Sequence, residues 1–308
     1  MTATLTAPAA PAAPATRGPR GLVWALMQVH RMAFAFWAVA LIGATAGLIW
    51  MYAIGDAARE GNVPCTTPAR YGYPACASVE AITVDDVYSS GIGLIATVLT
   101  YAVLLVAPWA GGALIGRELE SGTARLAWTQ SVSPTRWLAA KLAVPAVLLT
   151  AGTGVTVVLN DWARGDDAPD LVGDWYNADS FVGTGPTAVA YVLAGLALGA
   201  LAGMLLGRAL PAAGAGFAAA LVLCGVLETF REHLWPTVTR SGVEPSAELP
   251  RSAWALHWTT ETGSTTDSVT FHPRSHFWPL QLVETGILLA VAATATLAAF
   301  WLLRRRTP

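Results

Sequence analysis

The sequence predicts an all-α polytopic membrane protein: six transmembrane helices with both termini on the cytoplasmic side. Three observations carry that prediction. The 308 residues are 54% hydrophobic and only 12% charged, with a mean hydropathy of +0.50, whereas about a quarter of a soluble domain is charged. The apolar residues gather into six long runs, most near the ~20 residues that cross a hydrocarbon core of ~30 Å. The charges between the runs alternate in sign. With six spans, one side collects eleven Lys/Arg and two acids, Glu118 and Glu120. The other collects seven arginines and seventeen acids, with Glu284 just inside the last run. Positive charge concentrates on the cytoplasmic side of a bilayer, which orients the chain. A net charge of -2 gives no support for a nucleic-acid partner.

Residues 1–20 are rich in Ala, Pro and Thr. They have little to bury and read as a disordered cytoplasmic tail ahead of a single transmembrane domain over 21–308. Residues 21–31 suit a short interfacial helix, or the first turns of the first span, with Trp24 at headgroup depth. The spans are predicted over 33–54, 90–113, 137–159, 187–206, 212–227 and 278–303, the fifth slightly short. The outer segments are 56–87, 160–184 and 228–277. In the first of these, a disulfide between Cys65 and Cys76 would pin a loop that has no apolar core, in an oxidising exterior. The fourth span carries Gly195, Gly199, Gly203 and Gly207 on one helix face, spaced for close approach of a neighbouring helix. Arg208 to Pro211 reads as a tight turn, and the tryptophans at 235, 254, 258 and 278 suit the membrane interface.

Between the second and third spans lies a compact polar island, 117–134. Glu118 and Glu120 run against the positive-inside rule there, and a basic partner protein would account for them. Gly122 interrupts the first helix and Thr123 is placed to cap the next. Ser133-Pro134 then opens the third span. The run Arg117-Glu118-Leu119-Glu120-Ser121-Gly122-Thr123, followed by Leu126, Trp128-Thr129-Gln130-Ser131, Ser133-Pro134, Arg136-Trp137 and Lys141, resembles the signature of ABC-2 (type V) transporter permeases, in particular an actinobacterial branch.

The resemblance implies that 117–134 is a cytoplasmic coupling segment seated in a groove of an ABC ATP-binding subunit. Glu118, Glu120, Gly122, Thr123, Arg125 and Leu126 are then the contacts. The chain has no GxxxxGK[ST] loop, so ATP and Mg would sit on that partner and no cofactor or metal on this chain. The implied assembly pairs two permease copies, identical or related, with two ATP-binding subunits in a bacterial plasma membrane. Its work would be export of a hydrophobic or amphiphilic substrate, without enzymatic chemistry of the permease's own. The outer segments are longer than is common in the family.

Arg231 and Glu284 stand at or near span ends, and a charge at such depth faces the bundle or an aqueous cavity. They are candidate gate residues, with an interfacial carboxylate reaching water as the plain alternative for Glu284. His257, His272 and His276 with Glu261 or Asp267 suggest a multispan membrane enzyme, but Pro273 argues against a regular helix joining the last two histidines. A non-transporting membrane scaffold or regulatory subunit is the other rival.

Overall fold

The computed structural model describes residues 21, 27–28, 30–61, 79–129, 132–165, 169–243, 249, 252–260 and 267–306. Cys65 and Cys76, the tail over 1–20 and most of the proposed interfacial helix lie outside these residues. Two units are distinguished, Met1–Ala38 and Val39–Pro308. In the first, Gly21, Met27 and Gln28 are helical, and Arg31 opens the first long helix.

Nine α-helices are described: α1 (Arg31–Gly61), α2 (Val79–Glu120), α3 (Thr123–Thr129), α4 (Pro134–Arg164), α5 (Pro169–Val172), α6 (Ala178–Gly183), α7 (Thr187–Leu206), α8 (Ala209–Phe230) and α9 (Phe277–Arg306). Six of the segments they form are long and apolar enough to cross a membrane, and the protein is a multi-pass membrane protein. α7, at 20 residues, spans about 30 Å, one hydrocarbon thickness. α2, at 42 residues, is about twice that length, so it extends past the apolar layer. The outer segment predicted over 56–87 is accordingly shorter as a loop: α1 and α2 run into it from both sides.

The fifth span is not short. α8 begins at Ala209 because Pro211 falls in its first turn, where a backbone N–H has no helical partner to lose. The tight turn therefore shrinks to Gly207 and Arg208. Gly207 ends α7 at φ 62°, with its N–H on the Gly203 carbonyl, a left-handed cap that favours glycine.

Packing inside Val39–Pro308 centres on α2, α7 and α8, whose backbones meet through glycine. A Cβ on Gly111 would land on the Leu196 carbonyl oxygen, and one on Gly199 on the Pro108 carbonyl. On Gly216 it would stand 2.7 Å from the Gly199 Cα. With lipid outside and no hydrophobic gain from helix association, this dispersion contact supplies much of the attraction. Gly195 and Gly203 share the face, against Pro108 and Ile115. Gly207 leaves the stripe: nothing lies within 4 Å of its Cβ position, and its task is the cap.

The segment 228–277 departs from an all-helical reading. It folds as a small antiparallel sheet in the order β1-β3-β2, from β1 (Val238–Val243), β2 (Trp254–Thr260) and β3 (Asp267–His272). Val269 and Phe271 of the central strand are buried against Leu249 and Ala253. Trp175 ties the sheet to the 165–187 connection, donating from Nε1 to the Ser252 carbonyl at 2.6 Å. Trp254 stacks on Tyr176 with centroids 5.6 Å apart, so it serves this joint. Trp235, Trp258 and Trp278 remain exposed.

Candidate functional site

The polar island forms an elbow of three elements. α2 runs without a break to Glu120; Gly122, at φ 73°, reverses the chain, and α3 starts on the Gly122 carbonyl, which accepts from Arg125 N and Leu126 N. Thr123 is the first residue of α3 rather than its cap, and its hydroxyl reaches back to the Glu118 carbonyl at 3.4 Å. Ser133 caps α4, accepting from Arg136 N at 3.4 Å, and Pro134 occupies the first turn. Local chemistry thus dictates both bends.

One side of α3 is used inward. Ala124 is buried with Ile115, Trp137, Leu138, Met204 and Leu303, and Leu119 and Trp128 pack on the same cluster. Trp128 meets Trp137 edge to face at 5.6 Å. The opposite side carries Thr123, Arg125, Leu126 and Thr129, all exposed.

The two carboxylates already have bonding partners within the chain. Glu118 accepts from Trp137 Nε1 at 2.6 Å and from the Lys141 ammonium, both on the first turns of α4. Lys141 is the one lysine of the sequence and is almost wholly buried, while a quarter of the Glu118 side chain is exposed. The salt bridge therefore locks the end of α2 to the base of α4 at the edge of water. Glu120 Oε2 accepts from Ala209 N at 3.0 Å, capping α8, whose own N-cap residue Arg208 makes no side-chain bond. At the same end, Arg306 donates to the Leu205 carbonyl at 3.3 Å and closes α7.

A second ionic cluster lies at the opposite end. Arg231, just past α8, donates from Nε to Glu284 Oε2 at 2.9 Å and from Nη2 to Oε1 at 3.3 Å. Both side chains are at most 3% exposed, so Glu284 does not reach water as an interfacial carboxylate would. Tyr191 of α7 donates to Glu284 Oε1 at 3.0 Å, and the Arg231 guanidinium lies 4.1 Å over the Phe181 ring. Four elements, α6, α7, α8 and α9, converge on this pair. Just beside it, Gln281 of α9 accepts from Thr187 N at 3.2 Å and from the Thr187 hydroxyl, and its amide donates to the Phe181 carbonyl. It supplies a cap for α7 that Pro186 lacks.

The histidines divide. His272, at the end of β3, is fully buried, with Nε2 2.9 Å from the Glu232 carbonyl and Nδ1 2.9 Å from His276 Nδ1. A nitrogen facing a carbonyl must donate, so Nε2 of His272 carries a proton. His257 stands on the exposed side of β2. Pro273 separates strand from a 3-10 turn over Arg274–His276, and among the described residues no three His, Cys, Asp or Glu side chains converge as metal ligands.

Glu118, Glu120, Arg231 and Glu284 stand out in the sequence, whereas Tyr191, Gln281 and Thr187 enter the two clusters only through the fold. Lys141 carried a usable signal. A lone lysine, one turn after a tryptophan at a span entrance, is a charge that needs a partner.

Residues 36–231 match the family described as ABC-2 membrane transporter related. No curated protein and no solved structure matches the chain.

Proposed function

Because the chain belongs to the ABC-2 membrane transporter related family, whose members are membrane components of ABC transporters, we propose that it is the permease subunit of an ATP-driven exporter. Family membership implies association with an ATP-binding subunit. In this reading the partner binds ATP and Mg, two permease copies face each other in a bacterial plasma membrane, both termini are cytoplasmic, and the cargo is hydrophobic or amphiphilic.

The observation that carries the reading is the elbow. Its outward face, with Gly122, Thr123, Arg125 and Leu126, is available to a partner, while Glu118 couples the same elbow to α4 through Trp137 and Lys141. A push on α3 by the partner is then delivered to α2 and α4 together, and through Glu120 to α8. Glu118 and Glu120 act in this scheme as struts inside the permease. The Arg231–Glu284 pair serves as the gate contact at the far end. A remote ligand biases a two-state membrane unit in this way without chemistry at the elbow itself.

The test is isolation of the tagged protein from its native membranes in mild detergent. The complex should contain a stoichiometric subunit with a GxxxxGK[ST] loop, and reconstituted in liposomes it should hydrolyse ATP. A protein that emerges intact and alone under several gentle conditions overturns the proposal.

A further inference from the structure

At the end of the bundle that bears the elbow, the exposed charge is mainly positive, with Glu120 as the exposed acid of the elbow. Arg117, Arg125 and Arg136 are all exposed, and among the described residues no carboxylate forms a salt bridge with any of them. The only two acids of the elbow are occupied: Glu118 by Trp137 and Lys141, Glu120 by Ala209 N. Leu126, 57% exposed, stands beside Arg125 and is the exposed large apolar residue of α3.

We infer that this face docks into an acidic groove of the ATP-binding partner, with Leu126 entering an apolar notch and Arg117, Arg125 and Arg136 meeting carboxylates around it. The inference rests on the coupling reading above and specifies the partner's surface within it. It assigns the arginines of the elbow, rather than its two glutamates, to the partner, because each glutamate already holds a bond within the chain.

Three features favour a protein groove over a lipid surface. A helix lying among headgroups turns a broad apolar face outward, whereas α3 turns Ala124 and Trp128 into the core and shows outward one leucine among polar groups. Arginine is enriched at protein–protein interfaces relative to the rest of a protein surface. Arginine also suits paired recognition of carboxylates by its planar fork. The further cations at this end, Arg208 and Arg304, are exposed too and add to a field that would steer an acidic partner.

The experiment compares complexes isolated from native membranes, the partner being identified by its GxxxxGK[ST] peptide. Arg125→Glu should lower recovery of that subunit roughly three- to tenfold, and Arg117→Glu with Arg125→Glu by more than about tenfold. Elution profile and thermal midpoint of the permease should be unchanged, since both side chains are exposed. Arg125→Lys should keep the complex. A carbodiimide, which joins amine to carboxylate, should then crosslink position 125 to an Asp or Glu of the partner, mapped by mass spectrometry. Native Lys141 is buried on Glu118, so any link it forms is internal and carries no partner peptide.

Full recovery of the complex with both charges reversed overturns the inference while leaving the coupling reading intact. So does a reversal that abolishes binding to anionic vesicles but not to the subunit, which would make the face a lipid surface. Absence of any ATP-binding subunit from the wild-type preparation removes both.

Discussion

Two of the ion pairs among the described residues, one at each end of the bundle, have the same chemistry in opposite settings. Glu118–Lys141 sits at the mouth of the elbow with one partner a quarter exposed, while Arg231–Glu284 is sealed at 3% and 0%. The first can exchange its bonds with water; the second has no water to exchange with. A buried pair contributes little net stability, since removing two charges from water costs about as much as their attraction returns. It does make the arrangement of its neighbours nearly obligatory, because a lone buried charge is far worse than a pair. One end is therefore built to be handled and the other to be held in one of a few discrete states.

That comparison breaks most visibly at the sealed end. Glu284→Ala strands Arg231 and should cost about 3–5 kcal/mol, read as a fall in thermal midpoint in detergent. Replacing both partners, Arg231→Met with Glu284→Leu, should recover most of the loss. If the double variant is as unstable as the single, the pair has a net worth that this argument denies it.

Between the two ends, the glycine seam should behave as rigid packing. Gly199→Leu forces a side chain into the Pro108 carbonyl and should cost about 1–3 kcal/mol, whereas Gly207→Asn, at a left-handed cap with open space, should cost far less. Equal effects would mean that the seam yields. The same denaturation assay checks both.

At the elbow, Lys141→Met should separate stability from activity. The thermal midpoint should fall by about 1 kcal/mol equivalent or a little more, yet cargo-stimulated ATP hydrolysis should be lost while the ATP-binding subunit stays bound. Loss of the subunit instead would make Glu118 a docking residue rather than a strut. Smallest of all, Glu120→Ala removes the cap on α8 and should cost about 0.5–1 kcal/mol, measured as faster hydrogen exchange at the first amides of that helix, from Ala209 on.

What the sequence revealed follows from range. The six spans were legible because each is a single apolar run, and Ser133-Pro134 announced its helix start within two residues. The sheet was not: its strands are 6–7 residues long, and Val238-Thr239-Arg240-Ser241 shows no buried face of its own. The charges of the elbow were visible, but their partners lie 19, 23 and 89 residues away, and a two-residue spacing of glutamates says nothing about which way each points. For Glu284 a contact inside the bundle and an interfacial carboxylate stood as alternatives, because it lies only two turns into its span, and the buried pair with Arg231 decides for the first. The neighbouring helices, not the span boundary, close it off.

Gln281 has a consequence for the order of assembly. The Thr187 amide at the head of α7 finds its acceptor on α9, 94 residues later in the chain, and the Phe181 carbonyl waits for the same side chain across 100 residues. During synthesis, α7 and α8 therefore enter the bilayer with that helix head still incomplete. The nascent bundle stays open at this corner until the ribosome delivers α9, whose glutamine and glutamate close the α7 head and the Arg231 charge in one step.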